Sequence, residues 1–351
     1  MALNLEKERA HIAPYAREHW NTHGPGDARP TALKIIRDQC LDEKLGGRVV
    51  LITGGTSGIG LQTVRALHVT GADVYFTGQD AQKGAEVERM LRQDGSPGRV
   101  KFIQMALDSL RSVNKAAVEF LQLSSNQLHI LICNAGIRGY PKGITEDGFE
   151  LHFGINHLGH FALFHAVKHA LLSAITPGFQ SRVVCLTASG HRQSGIRFHD
   201  INFDADDEYE PLLGYAQSKT ANIYMALEIE RLYGPSGLHG FAVHPGGILG
   251  TGLNRRTPES QISAIIEDPV VARRMKSAEQ GAATTAWAAV SQELNEHGGL
   301  FLEDCQRSEP WAGDMTPLAP GYAPHILDRE KAVRLWDMSL DMIGRSSAEE
   351  V

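Results

Sequence analysis

Two side chains four residues apart, Tyr215 and Lys219 in the run Tyr-Ala-Gln-Ser-Lys, set the first constraint on what this chain can do. On a helix, positions i and i+4 share a face, so the phenol and the ammonium would point into one space. An ammonium beside a phenol favours the phenolate and lowers the phenol pKa toward neutrality, as a proton donor to a carbonyl oxygen requires. Upstream lies a glycine-rich run, Thr53-Gly54-Gly55-Thr56-Ser57-Gly58-Ile59-Gly60. It follows a short apolar stretch and opens a helical pattern, the context in which glycines cradle a pyrophosphate. Gly54 would permit the tight turn, Gly58 close backbone approach to phosphate, and Gly60 the packing of helix on sheet. No GK[ST] triplet follows, which excludes a P-loop. Phenol, ammonium and dinucleotide turn together point to carbonyl–alcohol redox chemistry on a nicotinamide.

The elements that must position these groups alternate between strand and helix. Apolar runs at 48–53, 73–77, 100–105, 128–133, 182–187 and 238–243 read as strands, with a short edge strand at 300–302. Helical patterns cover 59–69, 113–123, about 149–174, 215–233 and 280–294, and a further helix runs through Glu86 and Met90. Near-continuous apolar strands separated by helices predict an α/β fold, a doubly wound parallel sheet of about seven strands covered on both faces. Its ligand crevice should lie at the carboxyl ends of the strands. The glycine turn, Asn134-Ala135-Gly136, Thr187 to Gly190 and His244-Pro245-Gly246 all follow strands on that side. Residues 1–45 read as a helical N-terminal extension, with a helix from Leu5 to Trp20 broken at Asn21 to Gly26, and 46–345 as one Rossmann-type domain.

With 351 residues, 42% hydrophobic and 21% charged, the chain suits a soluble globular protein with a substantial core. Its net charge of −7 argues against nucleic acid or an anionic membrane as partner. No apolar run reaches membrane-spanning length, and Glu6, Lys7, Glu8 and Arg9 stand where a secretory signal would be apolar, so the cytoplasm is the expected location. Cys40, Cys133, Cys185 and Cys305 are too scattered for a disulfide framework or zinc site, and Cys133 and Cys185 fall in apolar strands as small buried hydrophobes. His165 and His169 have metal-ligand spacing, but Ala166 stands where a zinc protease needs glutamate. His157, His160, His165 and His169 are therefore expected on a helix surface or subunit interface, His191 and His199 in a solvated loop, and no metal site is expected. Asp204 to Glu210 reads as a solvated acidic loop.

Five features stand in register: Thr53 to Gly60, Asn134-Ala135-Gly136, Asn156 within Asn156-His157-Leu158-Gly159-His160-Phe161, Tyr215 to Lys219, and His244-Pro245-Gly246. In this order and spacing, over roughly 46–305, the chain resembles the short-chain dehydrogenase/reductases, most closely their retinol-dehydrogenase-like and WW-domain-oxidoreductase-like branch. The tail, with Leu302 to Cys305, Gly321 to Pro324 and Leu335-Trp336, resembles soluble microbial members. The resemblance implies that Tyr215 donates or accepts the substrate proton. Lys219 would bind the nicotinamide ribose and depress the tyrosine pKa, and Asn156 would hold a relay water. Asn134 and Gly136 would line the adenosine side, while Ile248 backbone atoms, with Thr251 nearby, would hold the nicotinamide amide. Thr56, Ser57, Gly58 and Ile59 belong to the dinucleotide turn.

Three positions depart from the family pattern. Ala188 stands where the family has a catalytic serine, with Ser189 favoured as its replacement through a one-residue shift and Thr187 as the second candidate. Ala106 stands where an aspartate usually meets adenine, and Asp108 two residues on is either a substitute or a helix N-cap. Gly78 and Gln79 stand where NAD-preferring relatives place an acid and NADP-preferring ones an arginine. A missing acid removes repulsion against a 2′-phosphate, which favours NADP(H) over NAD(H). The expected substrate is an apolar carbonyl or alcohol shaped by residues 190–214 and 246–280. Family habit adds a homodimer or homotetramer. A dinucleotide-binding protein without redox turnover is the second reading, motivated by Ala188 and Ala106.

Overall fold

The computed structural model describes residues 12–205, 209–313 and 318–345. Eight strands form one sheet in the order β3-β2-β1-β4-β5-β6-β7-β8. They are β1 (Val49–Ile52), β2 (Asp73–Gly78), β3 (Val100–Gln104), β4 (Ile130–Cys133), β5 (Ser181–Leu186), β6 (Leu238–His244), β7 (Leu300–Glu303) and β8 (Gln306–Arg307). The first seven run parallel and β8 returns antiparallel on β7. The expected edge strand at 300–302 is thus an inner one. The true edge, β8, is two residues long, too short to leave a period in the sequence.

The helices are α1 (Ala32–Asp38), α2 (Gly58–Val69), α3 (Ala81–Arg92), α4 (Leu110–Leu123), α5 (Gly159–Ser173), α6 (Pro211–Tyr233), α7 (Glu259–Glu267), α8 (Pro269–Arg274), α9 (Ala278–Gly281), α10 (Ala283–Val290) and α11 (Arg329–Met342). Each inner strand feeds both faces of the sheet. Leu131 and Cys133 pack in the core with α4, α5 and α6, whereas Ile130 and Ile132 pack in the core with α1, α2 and α10. That two-sided burial explains the unbroken apolar runs. Among the described residues, no helix is long and apolar enough to cross a membrane.

The N-terminal segment differs from expectation. The part of the expected Leu5–Trp20 helix before Ile12 lies outside the described residues, and the remainder holds only a 3-10 turn at Arg17–His19. The helix of this segment is α1, whose Ile35 and Ile36 are fully buried in the core shared with Trp287. Arg29 pins the segment down by donating to the backbone carbonyls of Gly24, Arg274 and Met275 while pairing with Asp27.

Candidate active site

Strand order reverses between β1 and β4, where a doubly wound sheet opens its ligand crevice. The Thr53 hydroxyl closes the base of that opening, accepting from the backbone amides of Asn134 (2.9 Å) and Ala135 (3.0 Å). The Asn134 side chain donates back to the Thr53 carbonyl at 2.8 Å. Above them is a crevice of about 310 Å³ lined by Gly54, Thr56, Ser57, Gly58, Ile59, Gly60, Gln79, Asn134, Gly136, Tyr215, Lys219, Ile248 and Thr251, among others. The structure therefore brings these expected cofactor and catalytic positions together. Asn156 and Ser189 are not on its wall.

The glycine turn has the shape of an anion cradle. Gly54 and Gly58 both have positive φ, +69° and +55°. A Cβ on Gly60 would lie 2.2 Å from the Gly54 carbonyl oxygen, so only glycine fits there. The helix that follows, α2, has Ser57 as N-cap with no side-chain cap hydrogen bond, whereas Thr31, Asp80 and Ser109 each cap their helices. The first amides of α2 are thereby left for an acceptor from outside the chain, such as a pyrophosphate oxygen. These residues fit a dinucleotide.

Tyr215 lies in the second turn of α6, which starts at Pro211, and not at the helix start. It and Lys219 are buried, 6% and 4% exposed, with the ammonium 5.6 Å from the phenol ring centroid. Lys219 Nζ donates to the Leu186 carbonyl at 3.1 Å, which ties it to the end of β5. The expected lowering of the tyrosine pKa by Lys219 is not the dominant effect. Desolvation pushes the Tyr215 hydroxyl up to about 12, opposed by Arg138, and the same desolvation pulls Lys219 down to about 8. Burial penalises both charged forms before one can help the other.

Asn156 ties the loop after β4 to α6. Its Oδ1 accepts from the Ile137 amide at 2.8 Å, and its Nδ2 donates to the Ile137 carbonyl (3.1 Å) and Ser218 Oγ (2.9 Å). Its own carbonyl lies 2.9 Å from His160 Nδ1. The residue sits in a π-turn, Gly154–Leu158, inside the expected long helix. Such turns interrupt helices at functional sites, and this one swings the amide toward the loop after β4.

Neither neighbour of Ala188 offers a free hydroxyl on the crevice wall. Ala188 lines the crevice, whereas Ser189 opens the 3-10 turn Ser189–Gln193. Ala188 is fully extended and the chain turns directly after it, with Ser189 off the crevice wall. The Thr187 hydroxyl is committed to the Lys219 carbonyl at 2.8 Å. Asp108 is not the N-cap of α4; Ser109 is, and Asp108 instead accepts from the Gln79 side chain at 3.4 Å. The Ile248 carbonyl accepts from Asn254 Nδ2 at 2.6 Å.

The histidines also depart from expectation. His157, His160 and His165 are buried core side chains, and only His169 of the four is exposed. Desolvation lowers His157 to about 3 and His160 to about 4, so both are neutral. His191 is fully buried, near the Ala188 carbonyl (2.7 Å) and accepting from the Ala323 amide, whereas His199 is exposed as expected. No group of metal-ligating side chains occurs among the described residues. The acidic run Asp204 to Glu210 lies partly outside them.

Sequence reasoning missed the substrate side of the crevice. Tyr140 lines it. The fully buried Glu150 accepts from the amides of His152 and Phe153 and from Tyr209 Oη. His152 in turn presents its ring edge-on to Tyr215 at 6.3 Å. The turn residues between Gly136 and Glu150 have no period, so only the packing reveals them.

A family profile described as short chain dehydrogenase matches residues 48–195. The short-chain dehydrogenase/reductase prx1 of Penicillium roqueforti is 42% identical over 332 residues, 95% of each chain. Retinol dehydrogenase 12 of Mus musculus is 33% identical over 301 residues, 86% of this chain and 88% of that one. A crystal structure of an uncharacterised protein from Mycobacterium paratuberculosis superposes with a TM-score of 0.63 at 31% identity, covering 86% of this chain and 95% of that one. Fold, glycine cradle and full-length likeness agree: the chain belongs to the short-chain dehydrogenase/reductase family, in its retinol-dehydrogenase-like branch, and is an oxidoreductase.

Proposed function

We propose that the protein interconverts a ketone or aldehyde with its alcohol using NADP(H), with Tyr215 giving or taking the proton at the substrate oxygen. The observation that carries this reading is the meeting of two buried groups, Tyr215 and Lys219, in the crevice that the glycine turn also borders. The nicotinamide, when bound, supplies or accepts the hydride. Gly54 to Gly60 and the amides opening α2 would hold the pyrophosphate. Lys219, already 5.6 Å from the phenol ring, would hold the ribose and stabilise negative charge developing on the tyrosine oxygen. Asn156 fixes the loop after β4 through Ile137, which keeps that wall in place. Ala188 leaves the substrate oxygen without the family's usual hydroxyl donor.

The preference for NADP(H) rests on the end of β2. A Cβ on Gly78 would lie 2.8 Å from Thr56 Cγ2, so an acid does not fit there without displacing Thr56. Asp80 is used as the N-cap of α3. Among the described residues β2 then ends without a carboxylate of its own for the ribose hydroxyls, Asp108 being held on the Gln79 side chain, and a 2′-phosphate meets less repulsion. A cytoplasmic location and a homodimer or homotetramer remain part of the reading.

Ala188 also favours a second reading, a dinucleotide-binding protein without turnover. NADPH consumption with a panel of ketones and aldehydes separates the two. The redox reading requires a substrate-dependent loss of NADPH absorbance that Tyr215→Phe abolishes while cofactor binding persists. Full activity in Tyr215→Phe would refute the assigned proton donor.

A further inference from the structure

The chain carries a net charge of −7, yet the substrate side of the crevice gathers arginines. Arg138, two residues after Gly136, is half-buried with its guanidinium carbon 5.9 Å from the Tyr215 ring centroid. Arg256 stacks on Tyr140, a crevice residue, at 4.2 Å. Arg255 lines the crevice itself, and its Nε donates to the Gly252 carbonyl. The two loops touch, since a Cβ on Gly139 would lie 4.0 Å from Arg256 Cβ.

Among the described residues, none of these three guanidiniums has a carboxylate within ion-pair distance. Every engagement found for them is with an aromatic ring or a backbone carbonyl. The buried carboxylate on this side, Glu150, is spent on His152, the Phe153 amide and Tyr209. Arg138 also lowers the Tyr215 pKa, against the larger upward push of burial. Guanidinium forks match carboxylate and phosphate oxygens two at a time. Arg138, half-buried, lies near the Tyr215 ring, and Arg256, though exposed, is held on the Tyr140 face, so both are aligned in advance.

Resting on the reading of Tyr215 as proton donor, we propose that the substrate carries an anionic group, carboxylate or phosphate, which Arg138 and Arg256 hold at the mouth while its carbonyl reaches Tyr215. The remaining walls near the carbonyl, Ile137, Tyr140 and Leu186, suit an apolar body between the two ends. The ligand class is an amphiphile, not a wholly apolar molecule.

The test compares three ketones of one shape: para-acetylbenzoate, para-acetylphenyl phosphate and the neutral methyl para-acetylbenzoate. Binding to the cofactor-loaded full-length enzyme is measured by calorimetry, and turnover by NADPH consumption. At least one anion should bind about 10- to 100-fold more tightly than the ester. Which anion wins identifies the group. In Arg138→Met and in Arg256→Met the anion-to-ester ratio should fall toward one, a readout insensitive to loss of folded protein. Equal binding of anions and ester, no binding of any at millimolar concentration, or a ratio unmoved by both variants overturns the proposal. The catalytic reading fails separately, if turnover survives Tyr215→Phe, because the binding ratio needs no chemistry.

Discussion

The pH dependence of the two reaction directions tests how Tyr215 is poised. Burial places its hydroxyl at about 12 and Lys219 at about 8. At pH 7, about five units below the tyrosine value, roughly one phenol in 100,000 is ionised, which opposes base action by ~7 kcal/mol. The proton needed for donation is present throughout the neutral range. Reduction should therefore be insensitive to Tyr215 ionisation and should decline only above about pH 8, as Lys219 loses the charge that stabilises the departing phenolate. Oxidation needs the rare phenolate and should climb by up to about tenfold per pH unit between roughly pH 6 and 8. Initial rates at saturating cofactor, taken in both directions across this range, give the profiles. Lys219→Arg should move the descending limb of reduction beyond the measurable range, since a guanidinium stays protonated to about 12 and above. A reduction profile falling through a midpoint near 7, unaltered in Lys219→Arg, would mean that Tyr215 itself titrates near neutrality. The dominance of burial over neighbouring charge would then be refuted.

Ala188→Ser should raise turnover. The extended backbone at 188 accepts serine, and a hydroxyl donor to the substrate oxygen contributes about 2–4 kcal/mol, roughly 30- to 1,000-fold; steady-state kinetics check this, and an unchanged rate would mean that another donor on the crevice wall already serves. Gly78→Asp should weaken both cofactors by about tenfold instead of switching preference, because its Cβ meets Thr56, whereas Gln79→Arg should raise the NADPH-to-NADH ratio of kcat/KM by about tenfold. A clean switch to NAD in Gly78→Asp would contradict the crowding argument. Glu303, buried between Ser308 and the Gly321 amide, is raised from 4.5 to about 7, chiefly by desolvation. An acid raised on folding binds its proton more tightly in the folded state, so its stabilising contribution is lost as pH rises from about 4.5 to 7, by up to ~3 kcal/mol. Glu303→Gln keeps an acceptor for both bonds and should be more stable than the parent at about pH 8 but not at about pH 5, read by urea titration.

What the sequence made legible was local. The glycine turn is specified by chain reversal and close approach within eight residues, and Tyr215 with Lys219 by one turn of helix. The parallel, doubly wound class of the sheet is legible from strand–helix alternation, which needs no long-range information. The misses are the features set by packing between distant segments. A π-turn adds one residue to a helical period that an apolar pattern cannot register, so Asn156 was placed on a regular helix. His157 reads as polar and exposed, yet its Nε2 lies 3.0 Å from Ser339 of α11, more than 180 residues away. Ser189 is one position from where a hydroxyl is wanted, but the 3-10 turn that starts at it leaves it off the crevice wall, and no local pattern announces such a turn.

A common cause runs through the site. Desolvation is the largest influence on Tyr215, Lys219, His160 and His244, and in each it opposes the charged form. Tyr215, His160 and His244 are thereby neutral at pH 7, while Lys219, at about 8, keeps most of its charge. Around the mouth stand the guanidiniums of Arg138, half-buried, and of Arg255 and Arg256, both exposed. Guanidiniums standing at the mouth orient a molecule with one anionic end before its carbonyl arrives at Tyr215. Orientation of that kind lowers the entropic part of the barrier without help from a hydroxyl at 188. A fold that lacks the serine can then still favour one end of its substrate over the other, and the loss at Ala188 and the arginines at the mouth become parts of one arrangement.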